Sequence, residues 1–435
     1  MVVAVLASLL ALAPAALGAT GATLRSALAS WTSAHPETSA LVWRLDPGGG
    51  EPVPILSWRP EVARAPASVM KLVTAGGALL ALGPDYQFRT RLVAGPGTAQ
   101  RGAVLTGPVY LVGAGDPTLS TAAFARAQWG MAGRFGKLAT PLRARGISLV
   151  RGPIVADESL FDSRRTGLEW KDSYRYECPP LSALAVNRNL TDSGGLVASP
   201  PIAAGQRLRA ALRSAGVRQQ GDVRSGRAPQ NGAVLAEVLS PPLREVVALM
   251  NPSSDNFLAE TLRKDVGAYS GSGGSTAQGN AETTEILRQR GIMGLTDRLV
   301  DGSGLSRSNR LSAGTLVRLL AAAAADPAWG DALIRSMAHG GEGTLIRRFT
   351  DPAISHRVRA KTGYIDGVAS MLSAATLLAS LAGVVTSKSG TRFAFAILIN
   401  DYDIGGAHDT QDRIVTLLAQ GAGDTAGAVT AARSR

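Results

Sequence analysis

The sequence predicts a chain of mixed helices and strands in two or three domains, with a β-rich domain inserted into the first. Three observations point there. Up to residue 89 the pattern is helix, strand, strand, helix. From about Thr90 the texture changes to short β-like runs separated by turns. Near Pro241 helical periodicity resumes, and the chain closes with a strand, an apolar hairpin and a helix. A length of 435 residues exceeds one simple core, and 45% hydrophobic with 18% charged residues is a globular composition.

Each element has its own signal. Met1 to Ala19 is apolar and then small, which reads as a signal peptide (residues 1–19), although no Lys or Arg precedes the apolar run. Thr23 to Ala34 reads as a helix, and Ala40 to Leu45 and Val53 to Ser57 as strands joined by the turn Asp46-Pro47-Gly48-Gly49-Gly50. Pro66 precedes a run rich in Ala and Leu, so a helix starts near Ser68 and continues to Leu82. In the β-like region, Pro108 to Val112, Ile147 to Val150 and Ile154-Val155 read as strands, with a helical stretch from Thr121 to Arg145. Leu243, Val246, Val247 and Met250 restore helical spacing. Helices follow at Ala281 to Arg290 and Leu311 to Ala325. Arg357 to Gly363 reads as a strand, and Leu381 to Thr386 and Arg392 to Asn400 as a hairpin. Met371 to Ser380 reads as extra residues ahead of it, and a last helix starts near His408. The predicted division is 20–89 with 240–435, interrupted by 90–239.

The charge is +12, from 45 Lys+Arg against 33 Asp+Glu, which suits an anionic surface such as a cell envelope, while an arginine surface scattered over the protein with no specific anionic ligand is the favoured reading. Nucleic acid is disfavoured, because aromatics are 5% and no basic run has aromatics interleaved. Cys178 is the single cysteine, so no intramolecular disulfide forms, and its place before Pro179-Pro180 reads as a buried small residue. The four histidines, 35, 339, 356 and 408, form no ligand pair, so no metal and no cofactor are expected. Gly113-Ala114-Gly115 lacks the third glycine of a dinucleotide loop, and no Gly-x-Ser-x-Gly elbow occurs.

The chemistry concentrates at Ser68-Val69-Met70-Lys71. On a helix, residues three apart lie one turn apart on one face. A serine needs a base within hydrogen-bond reach, and a lysine serves only if burial, a nearby cation or a helix N-terminus lowers its pKa. The chain writes its positive charge almost wholly as arginine, which cannot act as a base. Only six lysines occur, at 71, 137, 171, 264, 361 and 388, so a lysine three residues after a serine stands out. Ser254-Asp255-Asn256 and Lys361-Thr362-Gly363 follow in that order. Singly, the first is a turn or helix cap and the second a strand end.

Together the three motifs are those of penicillin-binding proteins and class A β-lactamases. The chain resembles the penicillin-binding protein 4 type family of D-alanyl-D-alanine carboxypeptidases and endopeptidases, from the Ser68 helix to the C-terminal hairpin. Gly113-Ala114-Gly115-Asp116-Pro117-Thr118-Leu119, Pro180 to Asn187 and Asp301 to Ser306 are similar to family segments, and the long gap between Ser68 and Ser254 matches the family's inserted domains. The resemblance implies an α/β fold, a transpeptidase/β-lactamase-like domain with an antiparallel sheet and helices on both sides, split by a largely β insert. It implies a serine carboxypeptidase/endopeptidase acting on peptidoglycan stem peptides outside the cytoplasm, with β-lactams as covalent inhibitors. Ser68 would be the nucleophile and Lys71 its base, with Lys361 keeping Lys71 neutral. Ser254 would relay the proton, and Asn256, Lys361, Thr362, Gly363 and the Tyr364 backbone would bind substrate. Asp255 would be structural. Tyr364 stands where relatives usually carry a small hydroxyl residue. The alternatives on the same scaffold are a catalytically impaired wall-binding protein and a β-lactamase or esterase.

Overall fold

The computed structural model describes residues 15–46, 50–365, 377–401 and 406–425. In chain order, α1 (Ala15–Thr32), β1 (Thr38–Leu45), β2 (Val53–Trp58) and α2 (Met70–Leu82) come first. The inserted region contains β3 (Arg89–Ala94), β4 (Ala99–Arg101), β5 (Val104–Thr106), β6 (Val109–Val112), α3 (Ala122–Trp129), α4 (Thr140–Ala144), β7 (Leu149–Arg151), β8 (Ile154–Asp157), α5 (Pro200–Ser214), β9 (Arg218–Gln220), β10 (Val223–Ser225) and β11 (Val234–Leu239). Then follow α6 (Leu243–Ser253), α7 (Asn256–Tyr269), α8 (Thr276–Gln289), α9 (Ala313–Ala325), α10 (Pro327–Ser336), β12 (Ala338–His339), α11 (Pro352–Ser355), β13 (Val358–Ile365), β14 (Leu377–Thr386), β15 (Arg392–Asp401) and α12 (Ala407–Ala419). Most of the signal-peptide reading, residues 1–14, lies outside the described residues. No helix among the described residues is long and apolar enough to cross a membrane.

The central sheet is antiparallel, in the order β12-β13-β14-β15-β1-β2. Its middle strands read as unbroken apolar runs because both faces are covered. Successive side chains alternate between two cores. On β15, Phe393, Phe395, Ile397 and Ile399 enter the core under α1 and α12, while Ala394, Ala396 and Leu398 enter the core shared with α2 and α9. The small side chains on the second face let α9 lie close against β15 and β1. This places the start of α2 beside β13.

The β14–β15 hairpin matches the predicted turn at residues 387–390, but β14 begins earlier than the sequence reading. Leu377 to Ser380, read there as extra residues, pair with β15 and β13. The remainder of that segment lies outside the described residues. The helical stretch from Thr121 to Arg145 is also corrected. It splits into α3, a 3-10 turn at Phe135–Leu138 and α4, because Gly130 ends α3 in a left-handed conformation.

Residues 89–239 contribute two sheets of their own, β10-β8-β6-β3-β11 and β4-β5-β7-β9, and neither takes a strand from elsewhere. Leu92, Leu111, Val150, Ile154, Leu208 and Leu212 belong to their common core. The helix α5 has no counterpart in the sequence reading. Its arginines at 207, 209 and 213 interrupt the pattern and dilute the apolar signal of Leu208 and Leu212.

Candidate active site

Ser68 sits in a 3-10 turn, Ala67–Val69, that leads directly into α2. The residue before it, Ala67, is held at φ 49, a left-handed conformation that costs a non-glycine residue about 1–2 kcal/mol. The turn is held from two sides. The Asp301–Ser306 loop presses against it at Gly304 (φ 89), where a Cβ would lie 1.9 Å from the Ala67 carbonyl oxygen. Strand β13 approaches at Gly363, where a Cβ would lie 2.7 Å from the Pro66 carbonyl and 3.1 Å from the Ser68 nitrogen. Both positions therefore require glycine for close approach.

Lys71 projects from the first turn of α2 and is fully buried. Its Nζ donates to Ser68 Oγ (2.9 Å), Asn256 Oδ1 (2.8 Å) and the Ser303 carbonyl (2.7 Å). Burial lowers its pKa to about 8, against the opposing pull of Asp301, Glu260 and Asp255. Lys361, on β13, is also fully buried and donates to the Thr362 carbonyl (2.8 Å). Burial and then repulsion by Lys71 hold the Lys361 amine well below its ordinary range. The sequence reading credits Lys361 with keeping Lys71 neutral. Desolvation is the larger cause for both amines, and repulsion adds to it only at Lys361, the charges around Lys71 being carboxylates that oppose the shift.

The Ser254–Asn256 motif lies between two helices. Ser254 ends α6 at φ 56, and Asp255 caps α7, accepting from the Leu258 N–H (3.0 Å). The cap turns Asp255 away from the cleft and toward Arg188, 3.1 Å away. Asn256 accepts from Lys71 and donates through Nδ2 to the Glu177 carbonyl (3.1 Å). A cleft of about 600 Å³ opens at this point. Ser68, Ser254, Asn256, Gly304, Leu305, Tyr364 and Ile365 line it, together with Lys171, Tyr174 and Glu177 from the inserted region. Tyr364 stays half exposed, its ring 6.0 Å from that of His408. Lys361 and Thr362 lie behind this lining. No hydrogen bond joins the Ser254 hydroxyl to either amine among the described residues.

The sequence reading missed the support of Lys71. The Ser303 carbonyl reaches Lys71 because Glu260 Oε1 accepts from the Gly302 (3.0 Å) and Ser303 (2.7 Å) N–H groups. Thr74 Oγ1 donates to the Gly302 carbonyl (2.5 Å) and accepts from Arg263 (2.8 Å). Glu260 and Arg263 are fully buried on α7. Burial raises the Glu260 carboxyl to about 7, with Asp301 adding to the rise, and lowers Arg263 to about 10. An acid and an arginine three apart on α7, followed directly by Lys264 and Asp265, were the available signal. In a sequence they read equally well as a solvent-exposed pair.

Glu260→Gln tests this support. The amide keeps an acceptor for the two loop N–H groups but removes a negative charge that stabilises the Lys71 ammonium. The Lys71 pKa is therefore expected to fall, and the acid limb of acylation to move to lower pH. A limb at the wild-type position would show that the Glu260 charge does not act on Lys71.

Among the described residues no group of three or more His, Cys, Asp or Glu side chains is placed to hold a metal ion. Cys178 is buried, as expected from its sequence context.

The model of the D-Ala-D-Ala carboxypeptidase 3 (S13) family matches residues 52–194 and 191–421. A D-alanyl-D-alanine carboxypeptidase of Actinomadura sp. (strain R39) is 30% identical over 444 residues, covering 83% of this chain and 78% of that protein. A carboxypeptidase of Mycobacterium tuberculosis is 32% identical over 371 residues, covering 82% and 76%. Penicillin binding protein 4 of Haemophilus influenzae has the same fold, with a TM-score of 0.72 at 24% identity over 90% of this chain and 99% of that one. It has also been solved in complex with a β-lactam. The α/β fold with its inserted domain, the paired serine and lysine and the sequence match agree: the chain belongs to the D-Ala-D-Ala carboxypeptidase 3 (S13) family of serine peptidases.

Proposed function

We propose that this protein is a serine D-alanyl-D-alanine carboxypeptidase/endopeptidase that cleaves peptidoglycan stem peptides through an ester on Ser68, outside the cytoplasm. The observation that carries the reading is the fully buried Lys71 amine, 2.9 Å from Ser68 Oγ, with its pKa lowered to about 8. Ser68 Oγ attacks the carbonyl between the two D-alanines, and its proton passes to Lys71. The N–H groups of Ser68 and Tyr364 face the developing oxyanion, each such donor being worth about 3 kcal/mol in serine enzymes. The C–N bond breaks, and the leaving amine takes a proton through Ser254. Water then hydrolyses the ester. Asn256 holds the substrate amide, while Lys361, Thr362 and Gly363 on β13 receive the terminal D-alanine. An arriving carboxylate favours protonation of Lys361, and that charge favours the neutral form of Lys71. β-Lactams present a strained amide carbonyl beside a carboxylate, in the place of the peptide carbonyl, and are expected to acylate Ser68.

Incubation with a fluorescent penicillin tests the reading. Covalent labelling of the intact protein is expected, with a rate that rises with pH through about 8 as Lys71 loses its proton. An unlabelled but folded protein overturns it. A mass spectrum of muropeptides before and after digestion separates loss of one D-alanine from opening of cross-links.

A further inference from the structure

The inserted region carries most of the charge. Residues 90–239 hold 19 Lys+Arg against 10 Asp+Glu, a net of +9 out of the chain's +12. Strand register shows where part of it goes. In the sheet β4-β5-β7-β9, Gln100, Leu105, Val150 and Gln219 stand opposite one another in a row. Leu105 and Val150 enter the core of the insert, and Gln219 accepts from Arg209 of α5, so this row faces inward. The rows on either side face outward. They place Arg101, Arg151 and Arg218 on one sheet face: Thr106 and Gln220 flank Arg151 in one row, and Val104 and the largely buried Leu149 stand between Arg101 and Arg218 in the other. All three arginines are exposed, and none has an acidic partner within 4.0 Å among the described residues. The four strands contain no acid. Asp222, on the turn into β10, is the only acid between residues 193 and 236.

We infer that this sheet face is a second binding surface for the wall polymer itself, engaging free carboxylates of stem peptides other than the one in the cleft. The inference rests on the proposed substrate. Every stem peptide ending in D-alanine carries a carboxylate, so a network of them is a repeating polyanion. The planar guanidinium fork suits carboxylates, and several weak contacts on one insoluble polymer add through effective concentration. No aromatic residue lies on these strands, so the face lacks the stacking platform of a single-stranded nucleic-acid binder. The cleft takes one peptide end, and the face holds the enzyme on the mesh while successive ends are cut.

The test uses the full chain with peptidoglycan sacculi stripped of attached phosphate polymers, in a sedimentation assay, and a soluble pentapeptide ending in D-Ala-D-Ala. The R101E/R151E/R218E variant is expected to bind sacculi about 10-fold or more weakly. Its release of D-alanine from the soluble peptide should stay within about 2-fold of wild type, since none of the three lines the cleft. A control, R288E/R290E/R347E, reverses three exposed arginines outside the insert and is expected to bind sacculi nearly as wild type does. Equal losses in both variants, unchanged binding by the first, or wild-type binding that vanishes once phosphate polymers are stripped would each overturn the inference. Sedimentation needs no turnover. Failure of the acyl-enzyme reading would therefore appear separately, as absent penicillin labelling.

Discussion

Lys71→Arg should abolish acylation although it keeps the positive charge. The guanidinium cannot give up its proton, so Ser68 loses its base, and a general base typically contributes about 10²–10⁴-fold. The larger head must also fit a position that is fully buried and already hydrogen-bonded to Ser68, Asn256 and Ser303. Fluorescent penicillin labelling at pH 8 should fall by at least about 10²-fold, with the melting temperature as a check on folding. Labelling by the folded variant within a few-fold of wild type would remove Lys71 from the base role.

Asp301→Ala should produce the largest loss of stability. The Asp301 carboxylate is buried and accepts from the Gly304 N–H (2.8 Å), the Ser306 N–H (2.6 Å), Asn309 Nδ2 (2.7 Å) and Trp170 Nε1 (2.9 Å). Alanine leaves four donors without that acceptor in a site that excludes water, and an unsatisfied buried group costs about 1–3 kcal/mol. A total of about 3–5 kcal/mol is expected, given that some donors find other partners. Acylation should fall as well, because the same loop carries the Ser303 carbonyl to Lys71 and presses Gly304 against the Ser68 turn. Asp301→Asn, which keeps one acceptor oxygen, should fall between. Urea denaturation measures the effect, and a wild-type midpoint for Asp301→Ala would show that the loop is held by something else.

These two positions differ in how legible they were. Lys71 announced itself through the spacing from Ser68 and through the scarcity of lysine in an arginine-rich chain. Asp301 lay in a turn-rich segment that resembled a family stretch, but its part in holding the loop could not be read there. A turn aspartate usually bonds its own neighbours, whereas this one also reaches Trp170, 131 positions away. The same holds for Asn256, whose amide meets a backbone carbonyl of the inserted region, and for Arg188, which grips Asp255 from that region. Thus the insert helps build the cleft, a point its β-rich texture did not reveal.

Local patterns in the chain determined the class of elements, the interrupting β-rich region and the three motifs, because capping, turn chemistry and apolar periodicity act over a few residues. The convergence of those motifs, the depth at which Lys71 and Lys361 are buried, the Glu260–Ser303 support and the one-sided arginine face required the folded molecule. Desolvation, strand register and contacts across hundreds of residues depend on what packs against a side chain, and that information is distributed over the whole chain.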